Sequence, residues 1–153
     1  MQTAYRIFSR NSTHDPLSGE GASQFPGRWN LEGTKVIYAA ESLSLAILET
    51  IVNLKNASSI PSFKYIELSF QKKDIYNVML DQKQSDWLNP VQNLDSRQFG
   101  TDILQNNSNK VIQVPSSVVP ESYNYLIPPL LIKNNKVSPK EPKEYALDLR
   151  LFH

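Results

Sequence analysis

The sequence predicts an α+β fold weighted toward strand, built as a single domain over 1–153. Three observations carry that expectation. Residues 3–9 and 63–70 alternate with the period of two that a half-buried strand needs. Residues 41–54 repeat their apolar positions with helical spacing. A chain of 153 residues with 40% apolar and 20% charged residues has enough apolar side chains for one core and too few residues for two domains. A compact chain of this length has a radius of gyration of roughly 15 Å.

The first strand is TAYRIFS, 3–9. Tyr5 and Ile7 share one face, and Ala4, Arg6 and Phe8 share the other. Arg6 is out of place beside a phenylalanine, because a buried guanidinium needs a partner. Residues 10–34 are rich in Gly, Ser, Asn and Pro and read as a long loop, tied down in its second half by Phe25 and Trp29. KVIYAA, 35–40, is a short strand. ESLSLAILETIVNL, 41–54, is a helix with Leu45, Leu48 and Val52 as its stripe, widened by Ile47, Ile51 and Leu54. Ser42 or Ser44 can cap its start. So much of its circumference is apolar that a central position is expected, and Glu49 is the acid in its middle.

FKYIELSF, 63–70, points Ile66, Leu68 and Phe70 one way and Tyr65, Glu67 and Ser69 the other. Residues 71–96 are mixed, with loop and short helix from Asp81 to Pro90. A short helix over 97–105 turns Phe99, Ile103 and Leu104 inward, and Asn106–Asn109 is a turn. KVIQV, 110–114, is a strand ended by Pro115, and a further extended piece runs from Tyr123 to Ile127. Residues 133–144 read as polar loop. YALDLRLF, 145–152, alternates well enough to predict a closing strand tied into the sheet. The total is about six strands and two or three helices.

Several function classes fall away on composition. There is no cysteine, so disulfides, thiolate catalysis and cysteine-ligated zinc are excluded. His14 and His153 are the two histidines, too few for a histidine-rich metal site. A net charge of +1, from 16 basic and 15 acidic residues, argues against direct nucleic-acid binding by a basic surface. The amino terminus has no signal-peptide pattern and no segment approaches the ~20 apolar residues of a membrane span. A soluble protein of the cytoplasm is expected.

Polar residues that break the pattern concentrate in 25–49. Gly27 and Gly33 bracket Arg28, Trp29 and Asn30, allowing a tight backbone path around one guanidinium. Arginine's donor fork suits phosphate or carboxylate. If Arg6 converges with Arg28, the pair suits an anion with more than one phosphate. Tyr38 ends a strand just ahead of the helix bearing Glu49, so one strand–turn–helix unit can bring both to a cleft. Each residue also has a plainer reading: Arg28 in a surface ion pair, Tyr38 as core with its hydroxyl satisfied, Glu49 on an exposed helix row, Ser116 as a turn hydroxyl. Trp29 is either a packing anchor for its loop or a stacking surface. Asp148 and Arg150 read as a pair.

YR at 5–6, GRWN at 27–30, the Gly33 turn, VIYAAES at 36–42, the Glu49 helix and VPSSVVPESYNYL at 114–126 together resemble the RES-domain family, toxins of bacterial toxin–antitoxin pairs. ALDLRLF resembles its closing strand. The resemblance implies an ADP-ribosyltransferase-like split, mostly antiparallel sheet with flanking helices around an NAD⁺ cleft. It implies degradation of NAD⁺ by phosphorolysis, releasing nicotinamide and ADP-ribose 1″-phosphate, or alternatively protein ADP-ribosylation or NAD⁺ hydrolysis. NAD⁺ is then a substrate, with inorganic phosphate as co-substrate, and no bound cofactor or metal is expected. Position by position, the family's arginines fall on Arg6 and Arg28, its tyrosine on Tyr38, its glutamate on Glu49 and its serine on Ser116, with Ser117 as a neighbouring helper; Trp29 is a candidate to stack on a base or pyridine ring by its aromatic character alone. Arg6 and Arg28 are expected on phosphates, Glu49 on the ribose, Tyr38 at the nicotinamide end, and Ser116 on ribose or phosphate. The implied partner is a cognate antitoxin with a helix-turn-helix region. Where the family reads NYLINP this chain has NYLIPP, so Pro128 is expected to alter the backbone locally.

Overall fold

The computed structural model describes residues 1–54, 62–89 and 94–152. Its strands are β1 (Gln2–Ser9), β2 (Ile37–Ala40), β3 (Phe63–Phe70), β4 (Ile75–Asn77), β5 (Val111–Pro115), β6 (Tyr123–Ile127), β7 (Ser138–Pro139) and β8 (Lys143–Tyr145). Its helices are α1 (Glu20–Gln24), α2 (Leu43–Asn53), α3 (Leu94–Asn106) and α4 (Leu130–Lys133). The strands form one mixed sheet in the order β4-β5-β6-β2-β1-β3-β7, with β8 also on β3. All pairings are antiparallel except β4 with β5. This is the α+β, mostly antiparallel architecture that the sequence predicts.

The sheet is split at its middle. β1 pairs with β3 along its whole length, from Gln2↔Phe70 to Ser9↔Phe63. β2 pairs with β6 over all four of its residues. Between β1 and β2 the register holds one pair, Tyr5↔Ala40, and the strands then part. Backbone groups beyond that pair need other partners. The Tyr38 carbonyl finds one in the Arg6 guanidinium, whose Nη1 donates to it at 3.4 Å.

One face of the sheet carries the largest core cluster. Ala4, Ile66, Leu68 and Phe70 from the β1–β3 half meet Ile37, Ala39, Tyr125 and Ile127 from the β2–β6 half. The other face holds two smaller clusters. One packs Trp29, Val36, Leu104, Ile112, Val114 and Leu126 beneath α3. The other packs Ala40 against Leu45 and Ala46 of α2.

Several expectations need correction. The predicted closing strand over 145–152 ends at Tyr145, and Leu149–Phe152 forms a 3₁₀ turn. Asp148 accepts from the Arg150 amide at 2.9 Å and from its guanidinium at 2.7 Å. A side chain that captures the backbone two residues on makes a turn, and it overrides the alternation. Leu149 and Leu151 are exposed as a result. The polar loop at 133–144 instead contains β7 and β8, which pair on the outer edge of β3 through backbone bonds that need no apolar pattern. Residues 10–34 contain the short helix α1. Helix α2 is not central: Leu45 and Ala46 are buried, but Leu48 and Val52 are 43% and 63% exposed. It packs on Ala40, Tyr5, Ile7 and Val119, while Leu43, Ile47 and Ile51 are half-buried. Ser42 is its cap, accepting from the Leu45 amide at 3.1 Å. Pro128 follows the last residue of β6, and its carbonyl accepts from the Leu131 amide. Pro90 and His153 lie outside the described residues.

Candidate active site

Where β1 and β2 part, a cavity of about 600 Å³ opens between the two half-sheets and α2. That is within the range of small-molecule and cofactor sites. Of the residues singled out in the sequence, Arg6, Arg28, Trp29, Tyr38 and Glu49 line it, and so does Ser117. Ser116 does not. Among the described residues no cluster of acids and histidines could hold a metal ion.

Glu49 sits mid-helix on α2, turned toward the sheet. Its Oε1 accepts two short hydrogen bonds, from Ser116 Oγ at 2.6 Å and from Asn124 Nδ2 at 2.7 Å. Among the described residues Oε2 has no hydrogen-bond partner. Ser116 is fully buried at the end of β5. Its hydroxyl hydrogen goes to Glu49, and its oxygen accepts the amides of Val118 and Val119, each at 3.1 Å. A hydroxyl has one hydrogen to donate and two lone pairs, so this one is fully used. Its place is behind the carboxylate, fixing it, while Ser117 stands on the wall. Asn124 lines the cavity from β6, and the sequence reading assigned it no role. An asparagine within a strand is unusual enough to have been a signal.

The two arginines are held alike. Arg6 donates to the carbonyls of Pro16 and Tyr38, both at 3.4 Å. Arg28 Nη1 donates to the carbonyls of Trp87 at 2.7 Å and Asn89 at 2.6 Å. Neither has a carboxylate within ion-pair distance among the described residues. Carbonyls fix a guanidinium without cancelling its charge, so both cations keep their charge for the cavity. Burial lowers the pKa of each, and for Arg28 the facing Glu49 and Tyr38 act in the opposite sense.

The loop carrying Arg28 is organised by Asn30, which is fully buried. Asn30 Oδ1 accepts from the Gly27 amide at 2.8 Å and from the Tyr38 hydroxyl at 2.7 Å. Its Nδ2 donates to the carbonyls of Ala22, Leu31 and Thr34. The Tyr38 hydroxyl also accepts from the Trp29 amide at 3.1 Å, so both its functions are engaged within the loop. Burial pushes its pKa well above the usual phenol range. Gly27 lies flat on the Tyr38 ring, where a Cβ would come within 2.8 Å of ring and hydroxyl atoms.

Helix α3 braces this loop from behind, a role the sequence did not disclose. Ser96 Oγ donates to the Arg28 carbonyl at 2.8 Å, and Arg97 Nε donates to the Gly27 carbonyl at 3.0 Å. Thr101 Oγ1 accepts from the Leu31 amide at 2.9 Å. Gly100 is in contact with the Trp29 backbone, and any Cβ there would overlap the Trp29 carbonyl. The Trp29 ring is 2% exposed and packs on Trp87 and Phe99, which makes it the anchor of the loop.

The model of the RES domain family matches residues 3–148. A toxin named Res from Yersinia enterocolitica is 32% identical over 96% of this chain and 97% of its own length. A protein from Sphingobium named as a Prs ADP-ribosylating toxin is 30% identical over 94% of this chain and 91% of its own. The crystal structure of the Mycobacterium tuberculosis MbcT–MbcA toxin–antitoxin complex contains a similar fold, with TM-score 0.74 at 17% identity over 95% of this chain and 84% of that one.

Proposed function

This chain belongs to the RES domain family, and from that premise we propose that it is the toxin of a toxin–antitoxin pair, an enzyme that cleaves the nicotinamide–ribose bond of NAD⁺. The single observation that carries the reading is the cavity itself: one oriented carboxylate lining the same space as two guanidiniums that, among the described residues, no acid neutralises. A dinucleotide offers the complement, two phosphates and a ribose that becomes cationic as it reacts.

The C–N bond breaks with its electron pair going to the pyridinium nitrogen, so nicotinamide leaves neutral and needs no acid. Positive charge builds on the ribose. Glu49, held by Ser116 and Asn124, stabilises that charge through its free oxygen at no reorganisation cost. Arg6 and Arg28 hold phosphate groups, of NAD⁺ or of the attacking phosphate. In phosphorolysis a phosphate oxygen forms the new C–O bond, giving ADP-ribose 1″-phosphate. A serine nucleophile is disfavoured, because Ser116 is buried, its hydroxyl is spent on Glu49, and no histidine stands beside it among the described residues.

The second reading is transfer of ADP-ribose to a protein, and the name of the Sphingobium relative favours it. A partner antitoxin is part of the proposal, supported by the complex in which the similar fold occurs. No helix among the described residues is long and apolar enough to cross a membrane.

Purified protein, freed of any partner, incubated with NAD⁺ with and without inorganic phosphate, tests this by mass-resolved separation of products beside a Glu49→Ala control. Phosphate-dependent nicotinamide release with a phosphorylated ADP-ribose is the expected result. Phosphate-independent ADP-ribose would make the enzyme a hydrolase. Folded protein that releases no nicotinamide without an added acceptor would shift the reading to protein modification.

A further inference from the structure

We infer that the segment from Asp81 to Asn89 is a clasp that sets which edge of the Arg28 guanidinium faces the cavity, with Trp87 as its positioning residue. The inference rests on the anion-binding reading of the cleft and deepens it.

Nη1 of Arg28 carries two hydrogens, and two carbonyls of this segment take them. The donors left over are Nε–H and the Nη2 hydrogens, which have no partner among the described residues. They form the side-on edge of the guanidinium, two parallel N–H groups spaced for two oxygens of one phosphate. The main chain of Arg28 is fixed separately, by Ser96 on α3. Rotation of the side chain is therefore governed by the clasp.

The clasp is itself fixed at both ends. Asp81 Oδ1 accepts the Gln84 amide at 2.8 Å, and Gln84 Oε1 accepts the Asp81 amide at 3.0 Å. That reciprocal pair closes the turn immediately ahead of the 3₁₀ turn Ser85–Leu88. At the far end the Trp87 ring packs on Phe99 with centroids 4.9 Å apart and on Trp29 at 6.4 Å. Asp81 is exposed and does not line the cavity, so the pair can be removed without touching core or site.

The test is a double-mutant cycle read by calorimetric titration with ADP-ribose. Asp81→Ala and Trp87→Ala are expected to weaken binding about tenfold, and Trp87→Phe to stay within about twofold. In an Arg28→Ala background the same changes should add nothing, because the clasp acts only through Arg28. An equal further loss in that background would overturn the inference, as would full binding by both single alanine variants. Melting curves of Asp81→Ala identify simple unfolding. Folded wild-type protein that does not bind ADP-ribose would sink the nucleotide reading and this inference together. Binding without coupling would sink the clasp alone.

Discussion

The Ser116 hydroxyl lies 2.6 Å from Glu49 Oε1 and is spent on it, so in the proposed reaction the serine acts only through the carboxylate. Ser116→Ala removes a charge-assisted bond worth about 1.5–3 kcal/mol. Nicotinamide release should fall roughly 10- to 100-fold in kcat, with the KM for NAD⁺ within a few-fold. A variant that lost affinity and kept its rate would place the serine on substrate instead.

Glu49→Gln should be more severe. It keeps the shape but removes the charge that, in the proposed reaction, faces the developing cation, and puts an amide against the donors from Ser116 and Asn124. A fall in kcat of about 10³-fold or more is expected, with substrate affinity largely kept. Single-turnover measurements and NAD⁺ binding to the inactive variant separate the two effects.

Gly100→Ala tests the brace. The added methyl meets the Trp29 backbone, which cannot move without dragging Arg28. Overpacking of this kind costs about 1–3 kcal/mol, or more where the neighbour is rigid. The melting temperature should drop by several degrees and activity should suffer in the protein that remains folded. Gly21→Ala is the control, since a Cβ there meets nothing within 4 Å.

Asn30→Ala should destabilise through unmade bonds rather than lost volume. It strands the Gly27 amide and removes the acceptor of the buried Tyr38 hydroxyl. A loss of about 3 kcal/mol is expected from denaturant titration. Asn30→Asp would keep both acceptor contacts but lose the three amide donations, and should fail as well.

High pH should unfold the protein through its buried phenols. Burial raises the Tyr125 pKa from 10.0 to about 12, and Tyr38 is raised also. A raised folded-state pKa means that the unfolded chain loses its protons first. Stability is therefore intact below pH 10 and declines as pH rises through the folded values. Phenolate absorbance from these two residues should appear together with loss of secondary structure. Tyr125→Phe should reduce the steepness of that decline.

Local pattern made the strands β1 and β3 and the span of α2 readable, because alternation and helical spacing act within a few residues. Arg6 was conspicuous for the same reason: it shares a strand face with Ala4 and Phe8. The resemblance supplied Glu49, Arg28, Tyr38 and Ser116 as a set, with Ser116 expected on ribose or phosphate, whereas its hydroxyl is taken up by Glu49. Ser116 acting from behind Glu49 and α3 bracing Arg28 depend on contacts between segments some 60 to 70 positions apart, which no local pattern records, and Tyr38 ties its loop through a hydroxyl whose partners, Trp29 and Asn30, the strand pattern does not show. The C-terminal alternation misled because one Asp148 side chain, accepting from the Arg150 amide, decides the matter locally.

The single register pair between β1 and β2 has a mechanical consequence. With one rung joining them, the half-sheets are hinged rather than laced, and their spacing is held by side chains, those of α2 on one face and the large core cluster on the other. Phe70 on β3 and Tyr125 on β6 meet across that seam edge-on, 5.2 Å between centroids. They form the pivot of a jaw whose gape is the cavity. Cleft width is then set in part from the back of the sheet, by side chains such as these two, which do not line the cavity.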